Sequence, residues 1–106
     1  VACLNRKNRL KKLVEITSGT ATSSLAHPRE VFRAAIQHGA TAVVAIHNHP
    51  SGDPTPSEAD IRATRELGRA GQLLKIQVLD HVVIGTPSPE RPKAWVSLRE
   101  LGYLNP

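Results

Sequence analysis

The sequence predicts an α/β fold in which helices flank a mixed β-sheet. A largely apolar run at residues 41–46 has the composition of a strand buried on both faces. The segments on either side of it, 27–38 and 58–70, carry apolar residues at helical spacing. Residues that favour strands open the chain and recur in its last third. Strands and helices that alternate in this way build a layered structure around a sheet.

Size and composition suit a single compact domain over residues 1–106. Of the 106 residues, 40% are hydrophobic and only 3% are aromatic, so we expect a core of Val, Ile, Leu and Ala. No apolar run approaches the roughly 18 residues of a membrane span, so no membrane association is expected. No signal peptide is visible either. Because the first residue is Val1, we expect the domain to lack its first few N-terminal residues.

Cys3 is the single cysteine of the chain. It lies in a strand-like apolar run, where a lone cysteine behaves as a small buried hydrophobic residue. One cysteine excludes an internal disulfide bond and a cysteine-rich zinc site. A reducing, cytoplasmic setting is therefore expected.

The chain is moderately basic, with 14 Lys and Arg against 9 Asp and Glu and a formal charge of +5. This charge suits nucleic acid or another polyanion as a partner. The alternative is an ordinary basic surface, because the charges are scattered and few aromatic residues are available to stack on bases. Both interpretations stay open at the level of sequence.

Residues 1–17 are predicted to form a β-hairpin. Residues 1–4 are apolar and favour a strand, and the turn at 5–8 contains asparagines, which tolerate the left-handed conformation of hairpin turns. Residues 9–17 form the return strand. Its alternation of apolar and polar residues is imperfect, which indicates a bulge or a shifted register.

A strand, a helix and a second strand are predicted over residues 20–46. Residues 20–25 are extended, and a helix begins at Pro28 and ends at Gly39. The two strands around this helix form a parallel pair with a right-handed crossover. The apolar face of the helix consists of Val31, Phe32, Ala35 and Ile36.

The second half of the chain is predicted to form one helix and three strands. A stiff loop with three prolines, 50–56, precedes a helix that runs from Glu58 to about Ala70 and is ended by Gly71. Trp95 is expected in the core. The strands are predicted at 73–79, 82–84 and 94–98, with an exposed loop at 86–92.

Residues 47–60 carry the pattern of a mononuclear metal site. His47 and His49 lie two positions apart in an extended segment, so both imidazoles point to the same side. Asp60, in the first turn of the following helix, can supply a carboxylate oxygen. Two neutral nitrogens and one carboxylate suit Zn²⁺ and leave a fourth position for water, the arrangement of a catalytic site. Fe²⁺ and Mn²⁺ remain alternative metals, and Asp53 is an alternative ligand for which we favour a turn role.

Ser57 is predicted to have two roles. It is a good N-cap, with Asp60 at the N3 position of a capping box, and its hydroxyl can stabilise a developing oxyanion. A hydrolytic site also needs a general base, which should be a glutamate. Glu15, Glu30 and Glu58 are present, but spacing alone places none of them.

Asp80 and His81 form a polar pair between two apolar segments. The pair either orients a metal ligand by contacting that ligand without binding the metal, or it is an ordinary polar pair at the end of a strand. The strand-end interpretation is slightly favoured.

The spacing of the central residues resembles a known metalloprotease signature. His47-x-His49, seven further residues and then Ser57-x-x-Asp60 match the JAMM (MPN+/JAB) pattern. The longer string HNHPSGDPTPSEAD is similar to the RadC family, as are the flanking strings LNRKNRL, HPREVF and LDHVVIG. The resemblance extends over essentially the whole chain. It implies a JAB/MPN-type fold related to the cytidine-deaminase-like α/β sandwich.

The resemblance also implies an activity. Zinc would be held by His47, His49 and Asp60, and Ser57 would take the oxyanion role. The protein would be a zinc-dependent hydrolase that acts on an amide or isopeptide bond, although the RadC label traditionally goes with DNA repair. The alternative is a nucleic-acid-associated module whose metal site is structural or acts on phosphodiester bonds. A third hypothesis is a site without catalysis that serves in protein–protein contact.

The general base is the one element in which this chain departs from the JAMM pattern. The glutamate of that pattern should lie on the strand that enters the fold, a few residues before the Leu4-Asn5 string, and therefore upstream of Val1. Glu15 and Glu30 are the alternatives within the chain. Without that glutamate, the chain is expected to bind metal and to be inactive.

Overall fold

The computed structural model describes residues 1–16 and 28–104. Strands and helices alternate in these ranges and confirm the predicted α/β fold. In chain order they are β1 (Ala2–Leu4), β2 (Leu10–Leu13), α1 (Pro28–Gln37), β3 (Ala42–Asn48), α2 (Glu58–Leu74), β4 (Gln77–Ile84) and β5 (Trp95–Ser97). The extended segment expected at 20–25, and with it the parallel pair expected over 20–46, lies outside the described residues.

The strands form one mixed sheet in the order β2-β1-β3-β4-β5. β3 and β4 are parallel, and the other neighbours are antiparallel. Helix α2 connects β3 to β4, because parallel neighbours need a crossover connection. β3 is therefore the central strand, and its carboxyl end lies beside that of β4 at one edge of the sheet. Ligand sites of α/β sheets usually lie at such an edge.

The β1–β2 hairpin forms where the sequence predicts it. Asn8 takes the left-handed conformation at a φ of 59°, and the Asn5 side chain accepts two backbone hydrogen bonds across the turn. The register shifts between Cys3 and Leu4, as the imperfect alternation indicated. β2 is shorter than the return strand that we predicted over 9–17.

Helix α1 has the predicted bounds, but its buried face is rotated. Val31, Phe32 and Ala35 are buried, as expected. Ile36 is 62% exposed, so its predicted place in the apolar face is wrong. Ala34 is buried instead, because the face centred on Val31 and Ala35 is the one turned to the core.

Helix α2 is longer than predicted. We expected Gly71 to end it, but the helix continues to Leu74 and is capped by Lys75 in the left-handed conformation. Gly71 lies where α2 packs against the chain that enters β4, and a Cβ there would be 2.6 Å from the Ile76 carbonyl oxygen. This glycine therefore serves close packing, and not helix termination. Neither α2 nor another helix of the described ranges is long and apolar enough to cross a membrane.

Strand β4 is continuous, whereas the sequence predicted two strands separated near Asp80 and His81. Both residues lie within the strand, because their polar groups are hydrogen-bonded there. The strand-end interpretation of this pair is therefore wrong. The first of the two predicted strands also began too early, since Leu73 and Leu74 belong to α2 and are exposed.

The core is built mainly from aliphatic side chains of α1, α2, β1 and β3, and Cys3 is fully buried in it, as predicted. Burial raises the pKa of the Cys3 thiol. Trp95 is 44% exposed on β5, so its predicted core position is wrong. Its ring is covered by Lys93, whose Nζ lies 4.2 Å from the ring centroid.

Candidate metal centre

His47 and His49 lie where the central strand reaches the edge of the sheet. His47 is opposite Val83 in the parallel pair. The backbone N–H of His49 donates to the Ile84 carbonyl at 2.9 Å, so the extended conformation continues past the end of β3. Residues two apart in an extended chain share a side. The two rings accordingly meet edge to face, with centroids 5.0 Å apart.

The loop that follows His49 is held against the segment that follows β4. The Gly52 backbone donates to the His49 carbonyl at 3.0 Å and accepts from Thr86 at 2.8 Å. Gly52 has a φ of 89°, where a side chain would be strained. A Cβ at Gly85 would overlap the Gly52 carbonyl oxygen, so the two glycines let the backbones touch. Backbone contacts as well as prolines therefore fix this loop.

Asp53 belongs to this loop, in the turn role that we favoured for it. Its carboxylate accepts hydrogen bonds from the backbone and hydroxyl of Thr55 at 2.9 and 2.7 Å. It also pairs with the Arg91 guanidinium at 2.9 Å. The hydrogen bonds from Thr55 are the main reason that the pKa of Asp53 is lowered, and the nearby charge of Arg91 lowers it further. With these partners the carboxylate is engaged within the loop and does not join His47 and His49.

Asp60 is buried at the start of α2, and its carboxylate faces both histidines. Oδ2 accepts from the Ser57 N–H at 2.7 Å and lies 3.0 Å from His49 Nε2. Oδ1 lies 3.5 Å from His47 Nε2. Burial alone would raise the pKa of Asp60, but the hydrogen bonds from Ser57 and the two nearby histidines lower it. Asp60 is therefore an anion at neutral pH.

His47, His49 and Asp60 each offer one ligand atom to a common point, and these atoms lie within 4.8 Å of one another. The two ring nitrogens and the carboxylate oxygen can therefore hold a metal ion. Burial is the largest cause that lowers the pKa of His47; His49 adds to the shift and Asp60 opposes it. A lowered pKa favours the neutral imidazole that metal binding requires.

The hydrogen bonds around His49 give an independent test of whether a metal fits. Nδ1 lies 2.9 Å from the Asp53 main-chain oxygen, and Nε2 lies 3.0 Å from Asp60 Oδ2. Both oxygens are acceptors, but a neutral imidazole carries only one hydrogen. With that hydrogen on Nδ1, a lone pair on Nε2 faces a carboxylate. Either a second proton on the ring or a metal ion between Nε2 and Oδ2 resolves this conflict, so the arrangement fits a metal ion.

The glutamates considered as general bases are not part of this cluster. Glu15 is exposed and follows the edge strand β2. Glu30 lies in the first turn of α1, 3.8 Å from both Arg29 and Arg33. Glu58 is exposed at the first position of α2. The described residues therefore assemble the three candidate ligands without a glutamate among them.

A family model described as the RadC-like JAB domain matches residues 1–103. The chain belongs to this family. The match confirms the resemblance on which the JAB-type fold was expected. In this RadC-like domain the His-His-Asp cluster spans the end of β3, the residue that follows it and the first turn of α2.

Curated relatives of this RadC-like domain carry names that state no activity. A UPF0758 protein of Caldanaerobacter subterraneus subsp. tengcongensis is 47% identical over 105 residues, which cover 99% of this chain and 42% of the relative. A UPF0758 protein of Geotalea uraniireducens is 53% identical over 85 residues, which cover 80% of this chain and 37% of the relative. A UPF0758 protein of Desulfitobacterium hafniense is 47% identical over 104 residues, which cover 98% of this chain and 43% of the relative. The chain thus spans about two-fifths of the length of these relatives.

Ser57 caps α2 in this RadC-like domain, and its hydroxyl lies beside the metal ligands. Ser57 Oγ accepts from the Asp60 N–H at 3.1 Å, and both bonds of the predicted capping box are present. This bond uses a lone pair of the hydroxyl and leaves its hydrogen free to donate. Ser57 is exposed, so a substrate can reach that hydrogen.

Thr64 and His81 complete the surroundings of Asp60, and no sequence motif pointed to Thr64 as part of the site. The Thr64 hydroxyl lies 2.7 Å from the Asp60 main-chain oxygen and 2.6 Å from His81 Nδ1. The available signal was the spacing of Asp60 and Thr64, which are one helical turn apart and share a face. This contact is what the other interpretation of the Asp80–His81 pair expected, since His81 reaches Asp60 through the Thr64 hydroxyl.

Proposed function

We propose that this RadC-like JAB domain is a metal-dependent hydrolase of the JAMM type, which binds zinc and cleaves an amide or isopeptide bond of a peptide substrate. The observation that carries the proposal is the convergence of two imidazole nitrogens and one carboxylate oxygen at the carboxyl end of β3. Two histidines and one carboxylate are a ligand set that catalytic zinc sites use, because three protein ligands leave one position open.

Each residue of the site has a separate task in this proposal. A bound zinc ion would supply Lewis-acid chemistry toward the substrate carbonyl. His47, His49 and Asp60 hold the ion, and the Asp53 carbonyl keeps the His49 hydrogen on Nδ1, away from it. The Ser57 hydroxyl donates its free hydrogen to the oxyanion that develops on the substrate.

Proton transfer to the leaving amine requires a further group. None of the glutamates in the described ranges joins the His-His-Asp cluster. The JAMM pattern carries a glutamate a few residues before the position of the Leu4-Asn5 string, and we propose a glutamate at that place as the base. Because the relatives are longer than the region that matches, the assays below use the protein at its full length.

Zinc content tests the metal centre. Full-length protein is loaded with zinc, dialysed and analysed by atomic emission. We expect one zinc per chain in the wild type and its loss in His47→Ala and Asp60→Asn. Asp53→Asn is the matched control, because Asp53 lies in the same loop but outside the cluster, and it should keep the ion. Zinc retained by both ligand variants would overturn the proposed centre.

Cleavage of a fluorogenic library of lysine isopeptides and a matching peptide library tests the activity. We expect hydrolysis by the zinc-loaded full-length protein that stops on addition of a chelator and is absent in Asp60→Asn. Failure of the zinc-loaded wild type to cleave either library would contradict the proposed hydrolase.

A second candidate function, contact with nucleic acid, is favoured by one surface of the domain. We define the basic hairpin as the exposed cations of β1–β2: Arg6, Lys7, Arg9, Lys11 and Lys12. Among the ion pairs of the described residues, none involves these side chains. Several cations close together on one surface attract the phosphates of nucleic acid, whatever its base sequence.

The basic hairpin lies at the opposite end of the sheet from the metal cluster. Leu4, which leads into the hairpin turn, pairs with Ala42 at the start of β3. His47 is five residues further along that strand, which corresponds to about 17 Å. The phosphates held by the hairpin itself would therefore lie well away from the metal ligands. This separation favours a docking role for the hairpin over metal-dependent cleavage of nucleic acid.

A further inference from the structure

Two buried polar side chains, Thr64 and His81, link α2 to β4 beneath the metal ligands. Thr64 is fully buried and His81 is 3% exposed. His81 lies opposite Ala45 of β3, two residues before His47, so all three side chains share one face of the sheet. The rings of His47 and His81 have centroids 6.3 Å apart. His81 is not itself one of the converging ligands.

The Thr64 hydroxyl has one hydrogen and two close neighbours. It lies 2.7 Å from the Asp60 main-chain oxygen and 2.6 Å from His81 Nδ1. The carbonyl oxygen is only an acceptor, so the hydroxyl must donate to it to avoid facing a lone pair. The hydroxyl then accepts a hydrogen from His81 Nδ1. His81 therefore carries its hydrogen on Nδ1, and the hydrogen bonds run in a single direction from His81 through Thr64 to Asp60.

His81 is itself fixed from the side of β5. The Asp80 carboxylate accepts from the His81 backbone N–H at 2.7 Å and from the Arg99 backbone N–H at 3.1 Å. Its second oxygen accepts from the Ser97 hydroxyl. Burial is the largest cause that lowers the pKa of His81, to about 4, so the ring is neutral at pH 7. A neutral ring in a fixed place is a suitable anchor for α2.

We infer that His81 is a positioning residue that acts through Thr64 to hold Asp60 at the distance from His47 and His49 that metal binding requires. The inference rests on the proposed metal centre. Asp60 is held at both ends: its main-chain oxygen by Thr64, and its carboxylate by the Ser57 N–H. Without the bond from His81, Thr64 no longer links α2 to β4, and Asp60 is held less firmly relative to β3. Loss of such supporting bonds typically weakens metal affinity about 10–100-fold.

Paired variants test this inference through zinc affinity. His81→Leu and Thr64→Val remove the hydrogen bond, whereas His81→Asn keeps an N–H donor and Thr64→Ser keeps the hydroxyl. Zinc affinity of the full-length protein is measured at pH 7 by competition with a chromogenic chelator. We expect the first two variants to bind zinc about 10–100-fold more weakly than the wild type. The two conservative variants should stay within a few-fold of it.

A stability control separates positioning from loss of structure. Val31→Ala shortens a fully buried side chain in α1 that is not a member of the cluster, and should lower the melting temperature of the metal-free protein without changing zinc affinity. We expect His81→Leu and Thr64→Val to lose zinc affinity even when their melting temperatures are no lower than that of Val31→Ala. Unchanged zinc affinity in both would overturn the inference and leave the proposed centre intact. A wild type that binds no zinc would overturn both.

The metal-free protein provides a second readout. Nitrogen-detected NMR of the His81 ring distinguishes a hydrogen on Nδ1 from one on Nε2. We expect the Nδ1–H tautomer in the wild type and in Val31→Ala. The Nε2–H tautomer would overturn the inferred direction of the bonds, independently of zinc and of catalysis.

Discussion

Ser57 and Asp60 hold each other at the start of α2. The Ser57 backbone donates to the Asp60 carboxylate at 2.7 Å, and the Asp60 backbone donates to the Ser57 hydroxyl at 3.1 Å. The residue that completes the helix cap is therefore also a member of the metal cluster. Helix formation and the geometry of the centre depend on the same pair of residues.

Ser57→Ala should separate the cap from the ligands. It removes the acceptor for the Asp60 N–H, so we expect a loss of about 1 kcal/mol in the free energy of unfolding of the metal-free protein. Zinc stoichiometry should stay at one per chain. Isopeptide hydrolysis by the full-length protein should fall about 100–1000-fold, as for the loss of one oxyanion donor.

The control for this prediction is Ser51→Ala. Ser51 lies in the same loop, and its hydroxyl accepts from the Asp53 backbone at 3.3 Å. We expect it to retain hydrolysis. Equal activity of Ser57→Ala and Ser51→Ala would assign Ser57 to the cap alone.

The metal-free protein should lose stability in mild acid because of His81. Burial lowers the pKa of His81 from 6.5 to about 4. Below pH 6.5 the His81 ring binds a proton in the unfolded chain, but in the folded chain it stays neutral until about pH 4. The free energy of unfolding therefore falls as the pH is lowered across this interval. The loss is about 3 kcal/mol when complete. Urea unfolding in the presence of a chelator, from pH 7 to pH 4, measures it.

His81→Leu is the comparison for this pH dependence. The variant lacks the titrating ring, so its unfolding free energy should change less between pH 7 and pH 4. His47, whose pKa is also lowered, contributes with the same sign and should leave a residual slope. Parallel pH profiles for the wild type and the variant would argue against burial of a neutral His81.

The basic hairpin should govern any affinity for DNA. Lys11→Gln with Lys12→Gln removes two exposed cations of β2. If both contact phosphates, the slope of log affinity against log salt should become shallower by about 2. Fluorescence anisotropy with a labelled duplex at several salt concentrations measures the slope. The charge-matched control is Arg62→Gln with Arg69→Gln on the exposed face of α2, which should leave the slope unchanged.

Two glycines of α2 should respond in opposite ways to alanine. At Gly71 a Cβ would lie 2.6 Å from the Ile76 carbonyl oxygen, so Gly71→Ala should destabilise the domain by about 1–3 kcal/mol. At Gly68 the nearest atom is 3.4 Å away, on the flexible side chain of Leu104. Gly68→Ala should therefore raise the unfolding free energy by about 0.5–1 kcal/mol through helix propensity. Chemical denaturation of both variants measures the contrast, which disappears if Gly71 acts only as a helix stop.

The sequence predicted those parts of the site that depend on local geometry. Two-residue alternation placed His47 and His49 on one side, and a capping box placed Ser57 and Asp60 together. Both rules involve neighbours in the chain, so they hold before the tertiary fold is known. The central strand was predictable for the same reason, because its apolar run is uninterrupted.

The predictions that failed depended on contacts between distant segments. Gly71 was expected to stop a helix, but the approach of Ile76 determines its role. Asp80 and His81 interrupted an apolar pattern and suggested a break, although partners on α2 and β5 satisfy them within the strand. Trp95 was expected in the core, but its position on β5 leaves the ring half-exposed.

The contact between Gly52 and Gly85 has a consequence for the cost of metal uptake. The loop between the ligands carries three prolines, which restrict its backbone before folding, and the touching backbones at Gly52 and Gly85 fix it during folding. Most of the conformational entropy that this loop loses on becoming ordered is therefore lost during folding, before the ion binds. An ion that binds to the folded protein meets ligands that are already in place. Its binding free energy is therefore not reduced by the entropic cost of ordering this loop.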